Sequence, residues 1–357
     1  MAGTVVIWIL NMERLIPIKN LWFIFLYAWR RLEEGKVIDV GEVNSPELAD
    51  LFAKVLIGGL KHIFRRGIDR GYIPITEDLS VLRGRIRVYE SMQQSIRRSP
   101  RLVCEYDEFS HDILNNRILK ATIRRLIGTA GLEKDNKHQL RVLLKSFGAV
   151  SELRLSKHVF RQVQIHRNNA FYSFLISICE LIYDLTLPEG NGESYRFSDI
   201  IRDDVKMRMV FQEFVRNFFD IESDFTVAPL TLRWDATSDN EEDLKLLPTM
   251  TTDIHLEKGD RRIIIDTKYY KEALQEHFGK QSIHSGHLFQ LFSYLKNAEP
   301  LDPAYLNAEG ILLYPATNEK LPVKAQIQGH QVRVCSINLD QPWQMITTDL
   351  LEILQPP

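Results

Sequence analysis

One short run constrains this chain more than any other: the β-branched triplet Ile263-Ile264-Ile265 followed at once by Asp266-Thr267-Lys268. Three consecutive apolar β-formers predict a strand buried on both faces, hence a central one. Just upstream, Thr252-Asp253-Ile254-His255-Leu256 and the turn Glu257-Lys258-Gly259-Asp260 complete a hairpin pattern with Arg262 on the return strand. A charge placed at the end of a buried strand is costly unless it is paired or metal-bound. The pattern therefore predicts Asp253 and Asp266 on adjacent strands, with Lys268 on the same side of its strand as Asp266. A strand end emerging into solvent with a simple Asp–Lys pair would satisfy the same spacing.

Two carboxylates with the Thr267 backbone carbonyl between Asp266 and Lys268 can hold a hard cation through oxygen ligands. A lysine beside them can orient a water or offset charge on a phosphorane-like transition state. These are the parts needed to hydrolyse a phosphodiester. The spacing alone is weak, because Glu34-Gly-Lys36, Asp135-Asn-Lys137, Asp204-Val-Lys206 and Asp243-Leu-Lys245 share it in contexts read as helix or loop. Three further features favour Asp266. Pro248 and Asp253 fit the loosened first half of a PD…(D/E)xK pattern, and Glu213 lies on an amphipathic helix predicted at about 203–219, from where it could add a third carboxylate. Gln290 and Tyr294, spaced i, i+4 on a helix near 284–297, share one face and could contact DNA backbone or fix Lys268.

The rest of the chain sorts into two halves. Residues 1–165 hold 27 Lys/Arg and 18 Asp/Glu, whereas 166–357 hold 18 and 29, so the net charge of −2 averages two unlike surfaces. Such asymmetry points to an acidic or nucleic-acid partner for the basic half. Within that half, Ile18 to Trp29 is an apolar segment, helix or strand, and Ser45-Pro46-Glu47 opens a helix running to about 65. Short alternating strands follow from Gly71 to about Phe109, then a helix at about 112–127. Arg83, Arg85 and Arg87 alternate along one of these strands, so all three point to one face; with Arg65, Arg66 and Arg70 they could line a projecting finger. Solvated arginines protecting an edge strand would look the same. In the acidic half, Phe171 to Ile178 predicts a buried helix, Gly190-Asn191-Gly192 a loop, and 235–247 an exposed acidic loop; strands at 311–314 and 332–337 complete a small mixed sheet.

Cys104, Cys179 and Cys335 are far apart with no CxxC spacing, which excludes a cysteine zinc site and suits a reducing cytoplasm. Apolar runs are too short to span a bilayer. No GxxxxGK[ST] loop is present, so the chain is not expected to bind GTP itself. The segment before Met12 reads as a leader from an upstream start codon.

The ordered set Ile16-Pro17-Ile18-Lys19-Asn20-Leu21-Trp22, Tyr27-Ala28-Trp29, Gly84-Arg85-Ile86, Asn116-Arg117-Ile118-Leu119-Lys120, Leu247-Pro248 with Asp253-Ile254, and Asp266-Thr267-Lys268-Tyr269-Tyr270 resembles the McrC family. These are the nuclease subunits of the McrBC modification-dependent restriction system, and the likeness runs from about Met12 to the C-terminus. It implies an α+β N-terminal domain (1–160) with a projecting β-rich finger (about 68–109), then an α/β PD-(D/E)xK restriction-endonuclease-like domain (161–357). It further implies Mg²⁺ held by Asp253 and Asp266, and catalysis by these with Lys268. The partner implied is an McrB-like hexameric AAA+ GTPase, which binds GTP, reads methylated cytosine in double-stranded DNA, and is stimulated through Arg83, Arg85 or Arg87. Thr267 stands where an apolar residue is common, and the helix ligand is either Gln212 or Glu213. The alternatives are a stand-alone repair or recombination nuclease and a non-catalytic activator of a ring NTPase.

Overall fold

The computed structural model describes residues 16–36, 48–96, 101–164, 170–189, 194–197, 204–269, 274–277, 280–316 and 323–356. The leader before Met12, the Ser45-Pro46-Glu47 helix start, the Gly190–Gly192 loop and Tyr270 lie outside these. The apolar N-terminal segment is a helix, α1 (Ile18–Ala28), with Leu21, Trp22, Ile24, Phe25, Leu26 and Tyr27 buried. The chain divides into two compact units: Met1–Leu32 with Asp199–Pro357, and Glu33–Ser198 between them.

This division departs from a boundary at 160/161 in two ways, both set by long-range packing. Helix α1 belongs with the C-terminal unit, because its apolar face needs a partner some 190 residues away. Ala170–Leu185 stays with the middle unit, where its almost wholly apolar surface is enclosed.

In the middle unit, α2 (Leu48–Arg66), α3 (Leu114–Ile127), α4 (Lys134–Lys145) and α5 (Ala170–Leu185) carry apolar stripes at helical spacing. A three-stranded sheet rises from them. β1 (Gly71–Leu79) pairs antiparallel along its whole length with β3 (Leu102–Ser110), and β2 (Arg85–Ile86) adds to β3. Buried Asn116 holds the base of this ladder: its Nδ2 donates to Asp69 O (2.9 Å) and His111 O (2.7 Å), and its Oδ1 accepts from the Tyr172 hydroxyl (3.0 Å). The three arginines do not share a strand face. Only Arg85 lies in a strand, and a helix begins at Val88. Gly84, at φ +66°, turns the chain where a Cβ would come within 2.4 Å of Glu105 O. The alternation of charges thus straddles a turn and a helix start instead of marking one strand.

The C-terminal unit is built on a six-stranded mixed sheet. Its strands are β4 (Thr226–Ala228), β5 (Ile254–Lys258), β6 (Arg261–Thr267), β7 (Glu309–Ala316), β8 (Val323–Ile327) and β9 (His330–Asn338), in the order β8-β9-β7-β6-β5-β4. β6 pairs antiparallel with β5 and parallel with β7, so the Ile263–Ile265 triplet is central. Alternation along β6 feeds two cores. Ile263 and Ile265 join α1, α6 (Asp204–Glu222) and α8 (Trp343–Ile353) on one face, through Ile24, Tyr27, Phe211, Phe214, Val215, Phe218, Ile346 and Leu350. Ile264 joins α7 (Ser285–Ala298) on the other, through Leu291, Tyr294 and Leu295. Each fully buried side chain of this size contributes about 1.5–3 kcal/mol. Asn20 ties α1 down by donating to Leu339 O (2.9 Å) and Gln341 O (2.8 Å). Gly310 on β7 lets α7 lie close, since a Cβ there would meet Leu295 Cδ1 at 2.8 Å. That approach sets the height of α7 above the end of β6.

Candidate active site

The end of β6 is where the chemistry-bearing residues meet. The parity that sends Ile264 toward α7 sends Asp266 and Lys268 there too. Asp266 is fully buried, and its Oδ2 lies 2.8 Å from Lys268 Nζ. That contact is an ion pair without an aligned hydrogen bond, and neither Asp266 oxygen has an aligned donor. Burial drives the Asp266 carboxyl up to about 7; the Lys268 charge opposes this and Asp253 adds to it. Lys268 Nζ also donates to Gln290 Oε1 (2.8 Å), and Gln290 Nε2 donates to the Tyr294 hydroxyl (2.7 Å). The Gln–Tyr pair on α7 therefore fixes the lysine. Tyr294 itself has a raised pKa, mainly through burial.

Asp253, one residue before β5, reaches across to Thr267. Its Oδ2 accepts from both the Thr267 N–H and hydroxyl, each at 2.8 Å. The main chain is pinned beyond this by Lys268 N–H donating to Leu313 O at 2.9 Å. Two carboxylates are thus held at the mouth of the sheet, one by hydrogen bonds and one by a lysine alone. A buried carboxylate with unsatisfied oxygens, beside a second carboxylate, suits a hard divalent cation, which needs only one or two protein carboxylates plus water and substrate phosphate.

Glu213 is not brought to this pair. Helix α6 packs on the opposite face of the sheet from α7. There Glu213 pairs with Arg216 and, with Trp29, Arg30, Asn217 and Asp220, lines a cavity of about 430 Å³. Among the described residues no group of three or more His, Cys, Asp and Glu side chains is placed to hold a metal ion. The expected third carboxylate ligand is accordingly dropped.

The structure adds residues that spacing did not single out. His287 precedes Gln290 by three on the same face of α7, and its Nδ1 lies 2.9 Å from the hydroxyl of Tyr314, a fully buried residue on β7. Its ring stacks on that of His284 (centroids 4.5 Å, 19°), which caps α7 by accepting from Gly286 N–H. Burial foremost, then the charges of Lys268, His284 and Arg208, hold the His287 pKa down to about 4. The HxxH spacing before Gln290 is the sequence signal that would have revealed it.

Far along the chain, the three arginines differ from one another. Arg83 lies over the Tyr106 ring at 3.9 Å. Arg87 is engaged with Glu90 (2.8 Å) and Glu105 (3.1 Å). Arg85 is exposed opposite Glu105 in register, and Arg70 Nε donates to His111 Nε2 at 2.8 Å. Tyr72, Val81, Leu82, Tyr89 and Met92 are exposed on the same sheet and its helix. Among the described residues, no helix is long and apolar enough to cross a membrane.

Residues 22–315 match the family described as McrBC 5-methylcytosine restriction system components. The chain is 31% identical over 344 residues to the type IV methyl-directed restriction enzyme EcoKMcrBC of Escherichia coli strain K12, covering 96% of this chain and 98% of that protein. It also resembles a chain in a half-complex from a tetradecameric assembly of Thermococcus gammatolerans McrB AAA+ hexamers with bound McrC. That match has a TM-score of 0.57 and 16% identity, over 96% of this chain and 79% of the other. At that identity the likeness is one of fold.

Proposed function

Because the chain belongs to the family of McrBC 5-methylcytosine restriction system components, we propose that it is the nuclease subunit of such a system, with a PD-(D/E)xK active site that cuts double-stranded DNA. The observation that carries this reading is the buried Asp266, unsatisfied by donors, 2.8 Å from Lys268 and beside Asp253. Asp253 and Asp266 would hold Mg²⁺, which when bound supplies Lewis-acid stabilisation of the charge developing on the phosphate. Lys268, held by Gln290, orients a water beside the phosphate and offsets that same charge. The water loses a proton as its oxygen attacks phosphorus, a phosphorus–oxygen ester bond breaks, and the leaving oxygen takes up a proton. Thr267 keeps Asp253 in place throughout.

The middle unit serves as the docking module. Its three-stranded sheet is the finger that meets an McrB-like AAA+ GTPase hexamer, offering exposed aromatic and apolar side chains with Arg85 among them. The partner binds GTP, recognises modified cytosine and delivers DNA; this chain stimulates its turnover and cuts. An acidic nuclease unit gains from such delivery, since its own field repels DNA at long range.

The test mixes the chain with its GTPase partner and measures GTP turnover and DNA cleavage with and without Mg²⁺. Asp253→Ala and Lys268→Ala are expected to eliminate cutting while leaving stimulation of GTP turnover intact. Cleavage by either variant at the native rate would sink the assignment.

A further inference from the structure

We propose that His287 is a further residue of the phosphodiester site: a neutral imidazole, held at Nδ1 by Tyr314, whose Nε2–H donates to a phosphate oxygen of the DNA strand bound at the carboxylate pair. The inference rests on the nuclease reading above and adds the group that grips the substrate phosphate.

Position comes first. The two elements that hold His287 are the two that hold Lys268. Helix α7 carries Gln290 one turn further on, and β7 carries Tyr314 next to Leu313, whose carbonyl takes the Lys268 N–H. His287 is therefore built into the same frame as the lysine and cannot move independently of it.

The hydrogen-bond chemistry comes next. A tyrosine hydroxyl has one hydrogen to give, and giving it to Nδ1 leaves the hydrogen of a neutral ring on Nε2. Stacking on His284, itself fixed as the α7 cap, holds the plane of the ring. The contact to Tyr314 thus selects a tautomer as well as an orientation.

Charge settles the class of ligand. Lys268 and Arg208 both act on His287, and the ring lies in the first turn of α7, the positive end of a 14-residue helix. Cations, a helix N-terminus and a buried N–H donor converging at one place favour an anion. Burial and these cations keep the imidazole neutral, so it donates without adding a positive charge near a bound divalent cation.

The test uses the full chain with its GTPase partner and steady-state DNA cleavage. His287→Leu keeps the volume and removes the donor; His287→Gln returns an N–H near the Nε2 position. For Leu, kcat is expected to fall about 10²-fold, the order seen for loss of one preorganised donor. KM, the melting temperature and stimulation of GTP turnover should stay unchanged. Gln should recover most of kcat. Tyr314→Phe should lower kcat in the native background and have no effect in the Leu background. A folded Leu variant that cuts at the native rate overturns the proposal, as does an equal loss in Leu and Gln accompanied by a lowered melting temperature. Asp253→Ala, measured in parallel, separates the two readings. Should it still cut, the nuclease assignment falls; should it be inactive while His287→Leu is not, only the role of His287 falls.

Discussion

Replacing Asp266 by Asn is expected to stabilise the metal-free protein while abolishing its chemistry. The Asp266 carboxyl is displaced from 3.8 to about 7, with burial as the leading cause. The sign follows from linkage: a carboxyl whose folded pKa is raised favours the folded state when protonated, and that stability is lost as pH rises from the unfolded value through the folded one. At about 1.4 kcal/mol per pH unit, the native protein forfeits about 2 kcal/mol by pH 5 and about 4 kcal/mol from pH 7 upward. An uncharged Asn carries none of this penalty, and Lys268 keeps Gln290 as a partner in the variant. The gain is large against a typical stability of about 5–15 kcal/mol. Urea unfolding in EDTA, followed by tryptophan fluorescence at pH 5, 7 and 9, measures it. Trp22, Trp29, Trp234 and Trp343 all lie in the unit that carries β6. Adding Mg²⁺ should raise the stability of the native protein above pH 7 and leave the Asn variant unmoved. An Asn variant less stable than the native chain at pH 9, or a gain that does not vary with pH, would refute the reasoning.

Other perturbations follow from the same geometry. Arg83→Glu with Arg85→Glu is expected to abolish stimulation of the partner GTPase; unchanged stimulation with weaker DNA binding would move this sheet to a DNA role. Gly310→Ala forces Leu295 outward and α7 with it, costing about 1–3 kcal/mol by overpacking. Denaturant midpoint and cleavage rate should fall together, because Gln290 retreats from Lys268. A fragment beginning at residue 161 lacks α1 and leaves Phe214 and Phe218 uncovered. It is expected to aggregate on expression, and a soluble, cooperatively unfolding fragment would contradict the assignment of α1 to the C-terminal unit.

How much of this was legible in the sequence depended on how local each signal was. The Ile263–Ile265 triplet and the Glu257–Asp260 turn specify a hairpin through neighbouring residues, and the strands formed where spacing placed them. Helix α6 was likewise written in Met207, Phe211, Phe214 and Phe218. The unit boundary was not legible, because what holds α1 is a surface on α6 that no window near residue 20 contains. An apolar segment such as Ile18–Trp29 has no period to separate helix from strand. Arg83, Arg85 and Arg87 misled for a related reason: alternation at every second residue mimics a strand even where a left-handed glycine and a helix start interrupt it. Within the site, Asp253, Asp266, Lys268, Gln290 and Tyr294 converge as spacing suggested. Glu213 does not, since which face of a sheet a helix covers is a tertiary fact.

The order in which this chain is made carries a consequence of its own. Helix α1 is among the first segments to leave the ribosome, yet the surface that covers it starts beyond Asp199. At about 5–20 residues per second, the intervening roughly 170 residues take roughly 10–30 s to synthesise. For that interval Trp22, Phe25 and Tyr27 have no native surface to bury against, while the middle unit is free to complete itself. The early helix is thus a client for a holding chaperone during translation, and the C-terminal unit closes only when the newest part of the chain comes back to the oldest.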